Sequence, residues 1–207
     1  MMNEYKDYGW KEEKTDAHDY LYPVLKSMLD IKKNKCILDV GCGSGYIANK
    51  LIGDGFNVYG IDASESGIKL ANATHKGRFY VQNIDSKRLP DELNNIKFDT
   101  IISTEVIEHL YNPRAYMEFC KNILMKNGGG EMIISTPYHG YIKNLLISLL
   151  NGWDKHFTVL WDGGHIKFWS KKTLTQLLNE FDFQIIEFKG AGRLPYLWKS
   201  MFIKAKI

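Results

Sequence analysis

The chain has 207 residues, enough for one compact domain with a sizeable core. Hydrophobic residues make up 44% and charged residues 25%, which excludes a disordered tail, a collagen-like repeat and a disulfide miniprotein. Lys and Arg number 27 against 24 Asp and Glu, and this small, evenly spread excess is no footprint for DNA or RNA.

The leader 1–16 is charged and lacks the apolar stretch of a secretory signal. Apolar residues then recur near a 3.6 period from Tyr20 to Leu29 and predict a helix, so residues 1–30 read as an N-terminal cap. Trp10, His18 and Tyr22 are placed to close over a ligand. From there the chain alternates. Strands are predicted at 36–40, 57–61, 78–82, 98–103 and 131–135, with helices at 46–53, 64–74 and 113–124. Helices at 144–153 and 172–180 and two closing strands at 183–188 and 200–207 follow. Alternating strands and helices imply an α/β fold with a parallel sheet covered on both faces, here a single domain over 1–207. Ligands of such sheets sit beyond the carboxyl ends of the strands. The stretch 138–168 is long for a plain connection at that edge and reads as a substrate-side insertion. Leu145, Leu146, Leu149 and Leu150 within it are read as core rather than as a membrane anchor; were they exposed, a lipid-like substrate or a dimer interface would gain weight. No run approaches the roughly 18 apolar residues of a membrane span. Cys36, Cys42 and Cys120 form no CxxC pair, which fits a reducing, cytoplasmic setting.

Unusual residues follow the strands. Asp39-Val-Gly41-Cys42-Gly43-Ser-Gly45 opens a helix, and its glycines let the backbone turn tightly and approach a ligand. The spacing is not the G-x-G-x-x-G of a dinucleotide site, which counts against an NAD-type oxidoreductase. Asp39 suits an ammonium group. Asp62 ends the second strand, where a carboxylate accepts from both hydroxyls of a ribose. Asp85 follows the third strand and suits an exocyclic amine, with the Ser86 amide facing a ring nitrogen. An amino acid, a ribose and an adenine together describe S-adenosylmethionine.

These pieces, with Leu89-Pro90 and Phe98-Asp99 leading to Glu105-Val-Ile-Glu108-His109, resemble the class I S-adenosylmethionine-dependent methyltransferases over roughly residues 15–207. The resemblance implies a Rossmann-like, mostly parallel sheet of seven strands whose last strand is antiparallel. It implies a cofactor-binding set of Asp39, Gly41, Cys42, Gly43, Gly45, Asp62, Ala63, Ser64, Asp85, Ser86 and Glu105.

Glu105, Glu108 and His109 share a face if helical, which suits a divalent metal or a base with its orienting partners. His165 adds an imidazole from the insertion. The pattern is similar to two branches of the family. One is the O-methyltransferases of ubiquinone biosynthesis; the other is the small-RNA terminal 2′-O-methyltransferases. The second resemblance implies the metal ligands Glu105, Glu108, His109 and His165, with Mg²⁺ or another divalent ion. The alternative is that Glu105 and His109 line the methionine end of the cofactor pocket. No basic stripe tracks an RNA backbone, so the expected acceptor is a small-molecule hydroxyl: a phenol, quinol or sugar. Tyr138, His139, Trp161 and His165 are the candidate substrate contacts, and His109, His165 and Glu105 the candidate catalytic groups. A homodimer and a catalytically silent cofactor-binding module remain open readings.

Overall fold

A computed structural model describes residues 7, 9–84, 88–157, 159–161 and 163–207. The helices are α1 His18–Lys26, α2 Tyr46–Gly53, α3 Glu65–Thr74, α4 Pro113–Met125, α5 Tyr141–Leu149, α6 Trp153–Phe157 and α7 Lys171–Glu180. The strands are β1 Ile37–Val40, β2 Val58–Asp62, β3 Phe79–Val81, β4 Thr100–Thr104, β5 Glu131–Pro137, β6 Gln184–Ala191 and β7 Ser200–Lys206.

All seven strands form one sheet in the order β3-β2-β1-β4-β5-β7-β6. The first five pair in parallel, and β7 runs antiparallel to both β5 and β6. The expected Rossmann-like arrangement is therefore present. Alternating residues along each strand feed opposite faces. Leu38, Val40, Ile101, Met132 and Ile134 join one core cluster with α4 and α7, while Ile37, Ile102 and Ile133 join another with α1 and α2. The chain leaves β1 toward β2 on one side, and β4 lies on the other. The crevice of such a sheet opens beyond the carboxyl ends of the strands flanking this switch.

Local chemistry sets the helix starts. Ser64 caps α3 by accepting from the Gly67 amide at 3.1 Å, and Asn112 caps α4 by accepting from Ala115, with Pro113 in the first turn. Ser170 and Thr173 make a reciprocal capping box on α7.

Two expectations change. The helix predicted at 144–153 is two helices, α5 and α6, parted at Asn151, whose φ is +49°, and Gly152. The leucines are not core: Leu145, Leu146 and Leu149 of α5 and Leu150 at its end are exposed, and the buried side chain of the helix is Lys143. Among the described residues no helix is long and apolar enough to cross a membrane.

Candidate functional site

The glycine loop is pinned at the end of β2. The Gly41 and Cys42 amides donate to the Ile61 carbonyl at 2.8 and 3.1 Å. Asp62 holds the loop and the α3 start together: its Oδ2 accepts from Gly43 N and its Oδ1 from Ser64 N, both at 2.8 Å. Gly41, Gly43 and Gly45 all have positive φ. Gly45 also approaches closely, since a Cβ there would lie 2.4 Å from the Ala71 Cβ.

Asp39 lies beside this loop on β1 and is 1% exposed. Its Oδ1 has no hydrogen-bond partner among the described residues. Burial, with the Asp62 charge adding to it, raises its pKa to about 8. A buried carboxylate oxygen without a donor is costly unless a cation meets it, so the site fits the ammonium end of an amino-acid cofactor. Asp85 and Ser86 lie outside the described residues.

The N-terminal segment lies against this loop. Trp10 sits where a Cβ on Gly43 or Gly67 would be, 2.7 and 3.0 Å away. The sequence reading missed Asp7, whose carboxylate accepts from the hydroxyls of Ser64 and Ser66 at 2.6 and 2.7 Å. His18 stacks on Tyr46 at 4.6 Å, but Tyr22 donates to Asp54 at the far end of α2.

Glu105 is not on a helix with Glu108. Its φ is +55°, and the helical turn begins only at Ile107. This left-handed step points its carboxylate to the sheet end, where Oε1 accepts from Ser135 at 2.7 Å and Oε2 from Ser200 at 3.0 Å. Burial raises its pKa to about 7.

Glu108, His109 and His165 do converge, with ligand atoms all within 4.8 Å of one another. Glu108 is fully buried, its Oε2 accepts from Thr136 at 3.0 Å, and its Oε1 lacks a partner among the described residues. Burial first, and the Glu105 charge second, hold its carboxyl well above the usual range. His109 Nδ1 lies 3.2 Å from the Gly164 carbonyl. A carbonyl only accepts, so Nδ1 carries the hydrogen and Nε2 keeps its lone pair. Burial lowers the His109 pKa, which preserves that neutral form. Its Nε2 lies 4.0 Å from Glu108 Oε1, so two lone-pair donors face each other across a gap sized for a cation or a shared proton. The insertion is anchored here by the Ile166 and Lys167 amides, which both donate to the Glu108 carbonyl. The donor set fits a divalent ion. Glu105 stands outside the group.

Trp161 lies edge-on to His109 at 5.9 Å and to His165 at 6.3 Å. An open pocket of about 330 Å³ beside them is lined by Phe157, Val159, Trp161, His165 and Phe168 among others. His139 packs on Phe157 and Phe168 behind this pocket. Tyr138 is drawn away to Trp198, at 5.1 Å.

The sheet order, the glycine loop and the strand-end acids define a Rossmann-like enzyme for a nucleoside-bearing cofactor. A sequence family described as "Methyltransferase domain" matches residues 13–187. The ubiquinone biosynthesis O-methyltransferase of Rickettsia canadensis is 33% identical over 166 residues, covering 78% of this chain and 67% of that protein. The protein of the same name from Dinoroseobacter shibae is 30% identical over 161 residues, covering 74% of this chain and 62% of its own length. The chain thus spans about two thirds of these curated relatives. Among solved structures, magnesium protoporphyrin IX methyltransferase from Synechocystis, with bound SAH, superposes with a TM-score of 0.63 at 18% identity, over 90% of this chain and 80% of that one. The chain belongs to the methyltransferase-domain family of class I, S-adenosylmethionine-dependent methyltransferases.

Proposed function

We propose that this protein transfers a methyl group to a hydroxyl of a small molecule, with Glu108, His109 and His165 at the reacting oxygen. The observation that carries the reading is the lone pair of His109 Nε2 facing the unpartnered Oε1 of Glu108, with His165 alongside and an apolar pocket next to them. The names of the relatives support oxygen as the acceptor atom.

In this reading Asp39 binds the ammonium, Asp62 the ribose hydroxyls, and Gly41, Cys42, Gly43 and Gly45 let the main chain lie along the cofactor. Ala63 and Ser64 border the adenine, and Glu105 closes the methionine end. The bound cofactor supplies an already activated methyl group, so orientation provides much of the rate. The acceptor hydroxyl is the weak partner, because a phenol has a pKa near 10. A divalent ion held by Glu108, His109 and His165 would lower that value. Two imidazoles beside one carboxylate suit a first-row transition ion better than Mg²⁺, whose preferred ligands are oxygens. Without an ion, His109 or His165 accepts the proton from the hydroxyl through a neutral ring nitrogen. Trp161 and His139 shape the acceptor slot.

The test is methyl transfer from labelled donor to catechols, quinols, sugars and short RNA ends, with and without Mn²⁺ or Mg²⁺. Transfer to a hydroxyl compound that drops about 100-fold or more in His165→Ala supports the assignment. Transfer that is undiminished in both Glu108→Gln and His165→Ala would remove the cluster from the chemistry. Turnover unchanged by thorough chelation would leave the proton-acceptor role and dismiss the ion.

A further inference from the structure

Helix α5 is inverted relative to an ordinary surface helix. Its one buried side chain is Lys143, whose Nζ donates to the carbonyls of Tyr138 at 2.8 Å and Lys199 at 3.4 Å. Its large apolar side chains face out: Tyr141 is 81% exposed, Leu149 72% and Leu150 78%, and Ile142, Leu145 and Leu146 lie between them in sequence. Two further segments also expose apolar side chains. One holds Val159 and Leu160, the latter 96% exposed. The other is the β6–β7 connection with Leu194 and Tyr196, tied through Trp198 to Tyr138 at the root of α5. A helix that buries an amine and exposes leucines is not completed by its own core.

The charge around this surface has one sign in excess. Counted along the sequence, segments 138–169 and 192–199 hold Lys143, Lys155, Lys167, Arg193 and Lys199 against Asp154 and Asp162, with Lys143 buried and Asp162 outside the described residues. These five cations and two acids account for the whole +3 net charge of the chain. The remainder of the chain is neutral on balance. Lys155, Arg193 and Lys199 are exposed at the rim.

We propose that this face docks the protein on a bilayer surface bearing anionic headgroups. Helix α5 then lies in the interface with its leucines in the acyl boundary, Tyr141 and Tyr196 at headgroup level, and Lys155 and Arg193 against the phosphates. A second copy of the chain is the poorer occupant. A two-fold contact would set the same cationic rim against itself, with Asp154 the one exposed acid among the described residues of these segments. Val159 belongs both to this surface and to the 330 Å³ pocket beside His165, so docking brings the pocket mouth to the lipid. The inference does not rest on the choice of acceptor.

Vesicle flotation tests it, with the full chain and vesicles of phosphatidylcholine alone or mixed with phosphatidylglycerol. The wild type should float with the mixed vesicles and detach as salt rises toward about 0.5 M. Leu149→Glu combined with Leu150→Glu should lower the partition about tenfold or more, as should Lys155→Glu with Arg193→Glu. Both variants should keep the wild-type melting temperature and affinity for S-adenosylmethionine, which shows that the fold and cofactor site are intact. A wild type that stays in solution with the mixed vesicles at low salt overturns the proposal. So does a leucine variant that floats like wild type. Equal flotation with neutral vesicles would overturn the headgroup assignment. A wild-type dimer in solution that the leucine variant converts to monomer, without flotation of either, would assign the face to self-association instead.

Discussion

Two buried carboxylate oxygens, Asp39 Oδ1 and Glu108 Oε1, lack a donor among the described residues, and each marks where a cation belongs. For Asp39 the proposed partner is the cofactor ammonium. A hydrogen bond between charged groups contributes about 1.5–3 kcal/mol, so Asp39→Asn should weaken S-adenosylmethionine binding by about 10- to 100-fold in calorimetry. Unaltered affinity in that variant would refute the ammonium assignment. Asp39 and Asp62 were legible in the sequence because a strand end followed by glycines fixes their location. Glu105 was legible as a site residue but not in its direction. The spacing to Glu108 suggests a shared helical face, and the φ of +55° that breaks it leaves no mark on a non-glycine residue. Its partners Ser135 and Ser200 lie 30 and 95 residues away and become neighbours only through the β4–β5–β7 order. Asp7 was hidden for the same reason, since Ser64 and Ser66 reach it across 57 and 59 residues.

At the level of elements, local signals carried furthest where a cap or a glycine fixed the boundary. Helix α2 was expected at 46–53 and occupies Tyr46–Gly53, bounded by Gly45 in the left-handed region. Helix α5 shows the limit of periodicity. Leucines at helical spacing establish that one face is apolar; they do not establish what it faces. The orientation comes from Lys143, whose buried amine ties the helix to the ends of β5 and β7. Burial, with the Arg193 charge adding to it, lowers the Lys143 pKa to about 8. Lys143→Met keeps the length of the side chain and removes three donors, leaving the Tyr138 carbonyl unpaired. The expected result is faster proteolysis within α5 and α6, with the melting temperature of the sheet lowered by only a few °C, about 1–2 kcal/mol of stability. Limited proteolysis with mass mapping reads the cut sites. Cuts no faster than in wild type would show that α5 is held by its own packing rather than by the amine.

The pH response of the whole molecule follows from which buried groups are charged in the fold. His18, His139 and His165 have their pKa lowered to about 4 by burial, whereas burial raises Glu105 to about 7 and Asp39 to about 8. Below the ordinary histidine value of 6.5 the two sets oppose each other. The folded histidines bind fewer protons than the unfolded ones, which favours folding as pH rises; the carboxyls bind more, which disfavours it. Above 6.5 the unfolded histidines lose their remaining protons, and the histidine contribution levels off by about pH 7.5. The carboxyls dominate the response: protonated in the fold and ionised in the unfolded chain, they stabilise at low pH, and that stability is lost as pH rises through their folded values, while Lys143, with its folded pKa lowered to about 8, opposes them only toward the top of the range. The melting temperature of the ligand-free protein should therefore fall between about pH 7 and pH 8, with a shallower fall in Asp39→Asn, which has no proton to lose. Saturating S-adenosylmethionine should raise the curve through binding and also flatten it, because the ammonium meets the Asp39 charge that the empty site leaves alone. Thermal melts across this window, with and without the cofactor, separate the two effects. A melting temperature that stays level or rises in the ligand-free protein would mean that Asp39 is already ionised in the fold, and that some donor other than the cofactor serves its buried oxygen.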